Sequence, residues 1–276
     1  KAADLPGLHN VVKYADGAFG GAQPDDAAAF DTLKALGVKT VISVDGAAPD
    51  VEAAAARGIR YIHLPIGYHG FDEKRRLELA KAVHEASKAG PVYMHCHHGK
   101  HRSAGALGSA LVSLGRLTPE EAADRLKASS CAPGYKGLWA AARDAKPLST
   151  QEVEALKVDL PAVSRPSGMV AGMVEIDQYH EYMKEIEKAG WKVPASNPDL
   201  VPERVAARLV DILAVLETAE ATKAKPADFL QMMKANGARA AELRQLIKDG
   251  AAADKLTAKF KEVTKSCKDC HVPYRD

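Results

Sequence analysis

Val92-Tyr93-Met94-His95-Cys96-His97-His98-Gly99-Lys100-His101-Arg102-Ser103 passes from an apolar run through a polar loop to the start of a helical stretch. Val92 to Cys96 has the β-branched and aromatic composition of a short buried strand, and residues 103 to 115 read as a helix. Between them a cysteine is separated from an arginine by five residues that include a glycine. Such a loop can wrap a tetrahedral oxyanion. Backbone N–H groups and the helix N-terminus face the anion while arginine grips two of its oxygens. The same field favours a thiolate at Cys96, and Ser103 is placed to donate a hydrogen bond to that sulfur as it leaves. Cys96, Arg102 and Ser103 are therefore read as catalytic, and His97, His98, Gly99, Lys100, His101 and Arg102 as phosphate-binding. The crowded imidazoles either add donors for a multiply charged anion or bind a metal. Anion contact is preferred, because backbone wrapped on an anion does not hold imidazoles in a closed coordination shell.

Outward from this loop, residues 25 to 145 alternate helix-like and strand-like segments. Residues 38–44, 61–66 and 92–96 read as strands. Residues 25–36, 49–57 and 71–89 read as helices, with Gly37, Gly58 and Gly90 at their ends. Further helices are expected at 103–115, 118–129 and 135–144, the second opened by Thr118-Pro119-Glu120-Glu121. This is an α/β pattern with a mostly parallel sheet and flanking helices. After residue 145 the strand signal stops, and a connection with one short helix follows. The remainder carries four amphipathic stripes, beginning at Met169, Val205, Phe229 and Leu256, which predict an antiparallel four-helix bundle. The expected division is 1–160 and 161–276.

The bundle ends in Cys267-Lys268-Asp269-Cys270-His271. Two thiols three residues apart on one helical face can each add to a vinyl group of one porphyrin, while the adjacent imidazole turns onto the iron. A zinc half-site usually needs a second ligand pair, and the only other histidine of this half is His180. A thioredoxin-like dithiol belongs beside a βαβ unit, which this half lacks. One covalent haem c is the expected cofactor, with Cys267, Cys270 and His271 holding it.

Two resemblances follow. Residues 161 to 276, with the terminal motif, Tyr274-Arg275 after it and Arg165-x-x-x-Met169 before the first stripe, resemble the class II cytochromes c, the cytochrome c-prime family. In its low-spin members a methionine so placed is the sixth iron ligand, so the resemblance implies Met169, with Met173 and His180 behind it. Residues 18 to 145 resemble the protein tyrosine and dual-specificity phosphatases, through the Cys96 loop, Gln23-Pro24 to Gly37-Val38-Lys39-Thr40-Val41-Ile42, and Tyr61-Ile62-His63-Leu64-Pro65-Ile66. There a histidine before the nucleophile, here His95, orients the loop. The family usually places a general-acid aspartate just after the third of these stretches, where this chain has Gly67-Tyr68-His69. Asp72 is the nearest candidate and His69 the next, while helix capping is the structural alternative for Asp72.

The totals limit partners. Net charge is +2, with 38 basic and 36 acidic side chains, which is not the balance of a nucleic-acid binder. No run approaches the roughly 18 apolar residues of a membrane span. Haem attachment of this kind occurs outside the cytoplasm, so an exported, periplasmic or otherwise extracytoplasmic protein is expected, its signal removed. Partners would be a phosphorylated substrate or inorganic oxyanion and a redox partner protein. The leading expectation is a cysteine-dependent phosphatase-like enzyme, under redox control, fused to a c-type cytochrome. The alternatives are an electron-transfer cytochrome with a degenerate anion-binding module, and a thiolate and haem enzyme acting on sulfur or nitrogen species.

Overall fold

The computed structural model describes residues 1–164 and 168–274. The chain divides into two compact units, Lys1–Ser164 and Arg165–Asp276. The first extends past the boundary expected at 160 because its last residues are tied to a strand: the His63 amide donates to Pro161 O at 2.8 Å.

Six strands form one sheet among the described residues of the first unit, in the order β1 (Ala3–Leu5), β2 (Leu8–Ala15), β3 (Ala18–Ala22), β6 (Val92–Cys96), β4 (Thr40–Ser43), β5 (Arg60–His63). The strands β3, β6, β4 and β5 are parallel, as expected. The antiparallel run β1-β2-β3 lies outside the alternation read from residue 25 onward. Its sequence signal is the turn chemistry of Pro6-Gly7 and Asp16-Gly17, since Leu5 pairs with Leu8 and Ala15 with Ala18.

Helices cover both faces of the sheet. On one lie α3 (Glu73–Ala89), α4 (Arg102–Ser113), α5 (Pro119–Ala128) and α6 (Lys136–Arg143), packed through Leu79, Leu107, Leu126 and Leu138. On the other lie α1 (Ala29–Ala35) and α2 (Val51–Ala55), against Tyr61 and Tyr93. Every residue of α4 is buried, so the loop before it is anchored on a rigid element. The short α7 (Thr150–Ala155) opens with a capping box from Ser149 and Glu152.

Parallel register brings the carboxyl ends of four strands together. Ala22 pairs with Cys96, while Ser43 pairs with His95 and with His63. In open α/β sheets this edge is where ligands bind.

The second unit contains α8 (Met169–Lys188), α9 (Pro202–Thr218), the single-turn α10 (Glu220–Lys223), α11 (Ala227–Lys248) and α12 (Ala253–Tyr274). Paired contacts fix an antiparallel bundle. Gly172 faces Leu216 and Glu175 bonds Arg208; Glu203 bonds Arg244; Glu242 bonds Lys259; Phe229 meets Tyr274. His180 of α8 bonds Thr264 of α12, and Trp191, just past the end of α8, bonds Thr257 of α12. A side chain on Gly172 would lie 2.6 Å from Leu216, so this glycine allows α8 to approach α9 closely.

Candidate functional sites

Cys96 ends β6 fully buried, and its Sγ lies 3.3 Å from Ser103 Oγ on the first turn of α4. The turn between them depends on Gly99. It has φ +70°, and a Cβ there would stand 2.1 Å from the Gly21 carbonyl carbon, so any other residue would push the loop off β3. The loop is pinned there by Gln23 N–H donating to His97 O at 3.1 Å. It is held on its other side by Asn10, whose Nδ2 donates to Gly99 O and to Ser129 O, both at 3.0 Å.

Arg102 is buried at the start of α4. Its Nη1 donates to Asp45 Oδ1 at 3.2 Å, and its guanidinium carbon lies 4.3 Å from the centre of the Tyr68 ring. Asp45 follows β4 and is itself buried. Burial alone would raise its carboxyl, but Arg102, then His97 and His95, and the Gly46 amide outweigh it. Together they hold Asp45 far below the usual carboxylate range. An ionised, paired Asp45 cannot supply a proton to a leaving group. Neither Asp45 nor Tyr68 was singled out from the sequence. The available signal for Asp45 was its place immediately after an apolar strand, at the carboxyl edge of a parallel sheet.

The histidines of the loop divide by role. His95 Nδ1 lies 3.2 Å from Cys96 O, a carbonyl that only accepts, so Nδ1 donates, and Nε2 lies 2.6 Å from the Tyr61 hydroxyl. His101, expected to touch phosphate, is buried. Its Nδ1 accepts Ala132 N–H at 3.2 Å and its ring lies 4.3 Å from that of Tyr135, so it serves as a tether. His97 and His98 are half-buried with ring centres 4.4 Å apart, and Lys100 is exposed. Among the described residues no group of three or more His, Cys, Asp or Glu side chains is placed to hold a metal ion. Cys131 is buried, and both it and Cys96 are free thiols.

The structure gives the expected acid the other role weighed for it. Asp72 caps α3, its Oδ1 accepting Arg75 N–H at 2.8 Å. With exposed His69 it borders a depression of about 350 Å³ whose lining includes Phe71, Arg76 and Gly137 but no residue of the 96–103 loop. Capping, the structural alternative, is what this side chain does.

In the second unit Cys267, Cys270 and His271 share one face of α12, and both thiols are free. Burial raises Cys267, with a smaller push from Cys270, and burial raises Cys270. They line a cavity of about 310 Å³ whose other walls include Met173, Ile176, His180, Leu213 and Met233. The donor set therefore suits a haem: two thiols for thioether bonds, an imidazole beside them and a cavity that joins apolar walls to a charged rim of Asp177, Glu181, Lys184 and Lys268. Met169, expected as the sixth ligand, opens α8 half-buried and is not among the residues lining this cavity. Met173, one turn further along the helix, does line it. Burial lowers His180, and its Nε2 is 2.8 Å from Thr264 Oγ1. Arg165 and Arg275 of the sequence pattern lie outside the described residues.

Residues 216–275 match the family model described as Cytochrome C'. That match runs from the end of α9 through the Cys267-Cys270-His271 motif and implies haem binding by the second unit. Among solved structures, P. aeruginosa TpbA is similar over 52% of this chain and 89% of its own, at 22% identity and a TM-score of 0.44. Human DUSP28 is similar over 53% and 97%, at 22% identity and 0.42, and PTPMT1 over 49% and 94%, at 17% and 0.40. No curated protein matches the chain. The chemistry of the cysteine loop rests on its own residues. Among the described residues no helix is long and apolar enough to cross a membrane.

Proposed function

We propose that the chain is an extracytoplasmic, cysteine-dependent phosphate-monoester hydrolase joined to a c-type cytochrome. The observation that carries the first half is the loop of Cys96, Ser103 and Arg102, set between a buried strand and a buried helix at the carboxyl edge of the sheet. The Cys96 thiolate attacks phosphorus, the P–O bond to the ester oxygen breaks, and a phosphocysteine forms that water then cleaves. Arg102 and the loop amides take the charge on the equatorial oxygens, with Asp45 and Tyr68 fixing the guanidinium plane. Ser103 donates to the sulfur when it departs as thiolate.

No acid serves the leaving oxygen in this scheme, since Asp72 caps α3 and Asp45 is ionised. Aryl phosphates, whose phenolates leave unaided, are the favoured substrates, and the loop binds inorganic oxyanions as well. In steady-state assays we expect hydrolysis of aryl over alkyl phosphates by about 100-fold or more, the usual worth of a proton donor. Cys96→Ser keeps orthovanadate binding and loses turnover, whereas Arg102→Ala loses both. Equal rates on the two ester classes would contradict the scheme.

The second half rests on the Cys267, Cys270 and His271 set with its cavity. When bound, one haem supplies electron transfer. Cys267 and Cys270 would hold it covalently and His271 would supply a nitrogen to the iron, while Met173, which lines the same cavity where Met169 does not, is the methionine available to it. Attachment of this kind requires export. The cytochrome then serves a redox partner, and an oxidisable thiolate in the same chain makes redox control of the hydrolase chemically sensible.

The cap on Asp72 and the closed Asp45–Arg102 pair favour one second reading. In it the first unit binds an oxyanion without turning it over, and electron transfer is the function. Absence of aryl phosphate turnover together with retained vanadate binding selects that reading.

A further inference from the structure

His63, the last residue of β5, is fully buried and holds two stretches of chain together. Its Nδ1 accepts Ser164 N–H at 3.1 Å. The proton of the neutral ring is therefore on Nε2, which donates to the Asp45 carbonyl oxygen at 2.8 Å. The Asp45 amide in turn donates to Ser43 Oγ at 3.3 Å, so side chains grip both sides of the Asp45 backbone. The Asp45 carboxylate holds Arg102.

We propose that His63 is a positioning residue that couples segment 161–164, the chain leading out of the first unit, to the grip of Arg102 on an oxyanion. The proposal rests on the reading of the 96–103 loop as an oxyanion site. The Ser164 amide fixes both the tautomer and the plane of the imidazole. Drawing 161–164 away leaves a buried nitrogen without that donor and frees the ring to turn its Nε2–H from Asp45, at a cost typical of a lost buried hydrogen bond. Asp45 then loses a backbone restraint, and Arg102 loses the fixed carboxylate that orients it. The connection thus acts as a control point on anion affinity, without touching the loop.

The test is orthovanadate affinity of the full chain by calorimetry, with thermal unfolding alongside. Ser164→Pro removes the amide donor without touching the ring, and His63→Leu keeps volume but removes both ring bonds. His63→Gln can accept from Ser164 and donate to Asp45. Ser164→Pro and His63→Leu should weaken vanadate binding by about fivefold or more, as loss of about 1 kcal/mol of hydrogen bonding requires. His63→Gln should return affinity to within about twofold of wild type, and Ser164→Pro should lower the unfolding midpoint only by what one lost hydrogen bond costs. Wild-type affinity in Ser164→Pro, or a His63→Gln no better than His63→Leu, would overturn the coupling. If His63→Leu does not fold, Ser164→Pro carries the test. A wild-type protein that binds no vanadate would sink the loop reading, and the coupling with it.

Discussion

Asp45 sets the electrostatics of the first site, since a buried carboxylate faces a buried guanidinium there. Its folded carboxyl lies far below the ordinary value near 4, so its stabilising contribution is present in full above about pH 4 and is lost as pH falls toward the folded value. Asp45→Asn leaves Arg102 buried without its anion and should destabilise the unit by about 3 kcal/mol at neutral pH. The gap to wild type should narrow as pH falls from 5 toward 3, read as unfolding midpoints, and a constant gap would contradict the assignment. The approach of Ser103 to Cys96 was legible because both lie within one short stretch, at the two ends of one loop. Asp45, Asn10, Tyr68 and His63 come to that loop from other strands and turns, and nothing local to them encodes the meeting. His101 shows the converse, since a histidine within the motif is spent on Ala132.

Elements were legible wherever periodicity and punctuation agreed. Gly37, Gly58 and Gly90 follow α1, α2 and α3 closely, and Thr118 caps α5 with a capping box. The hairpin strands β1 to β3 are harder to read, because Gly20 and Gly21 dilute the β-branched signal and a polar Asn10 interrupts β2. In the second unit the stripe of α8 fixes which residues share a face but not which level of the helix meets the cysteines. Contacts settle the level, with His180 opposite Thr264 and Met173 in the cavity that Cys267 and His271 also line. With haem attached, Met173→Ala should therefore abolish a methionine-to-iron charge-transfer band at the red edge of the visible spectrum, while Met169→Ala should leave it. The reverse pattern would restore Met169 as ligand, and a wild-type high-spin spectrum would mean that neither binds.

At the scale of the whole molecule, two units of different chemistry share one chain, each with its thiols used differently. In the proposed scheme Cys96 is the nucleophile of an anion-binding loop, whereas Cys267 and Cys270 are spaced as attachment points on one helical face. The division was readable from the end of the strand signal after residue 145. Its position at Ser164 was not, because the bonds to His63 that hold 161–164 to the first unit join residues about a hundred positions apart. In the proposed scheme both covalent chemistries belong to one protein. Rapid-quench, denaturing intact-mass spectrometry of the exported protein during aryl phosphate turnover tests it in one spectrum. The predicted result is a chain carrying one haem on every molecule and one phosphoryl group on a fraction of them, with only the phosphoryl group lost in Cys96→Ser. A spectrum showing the mass of the bare chain, or a phosphoryl group that persists in Cys96→Ser, would contradict it.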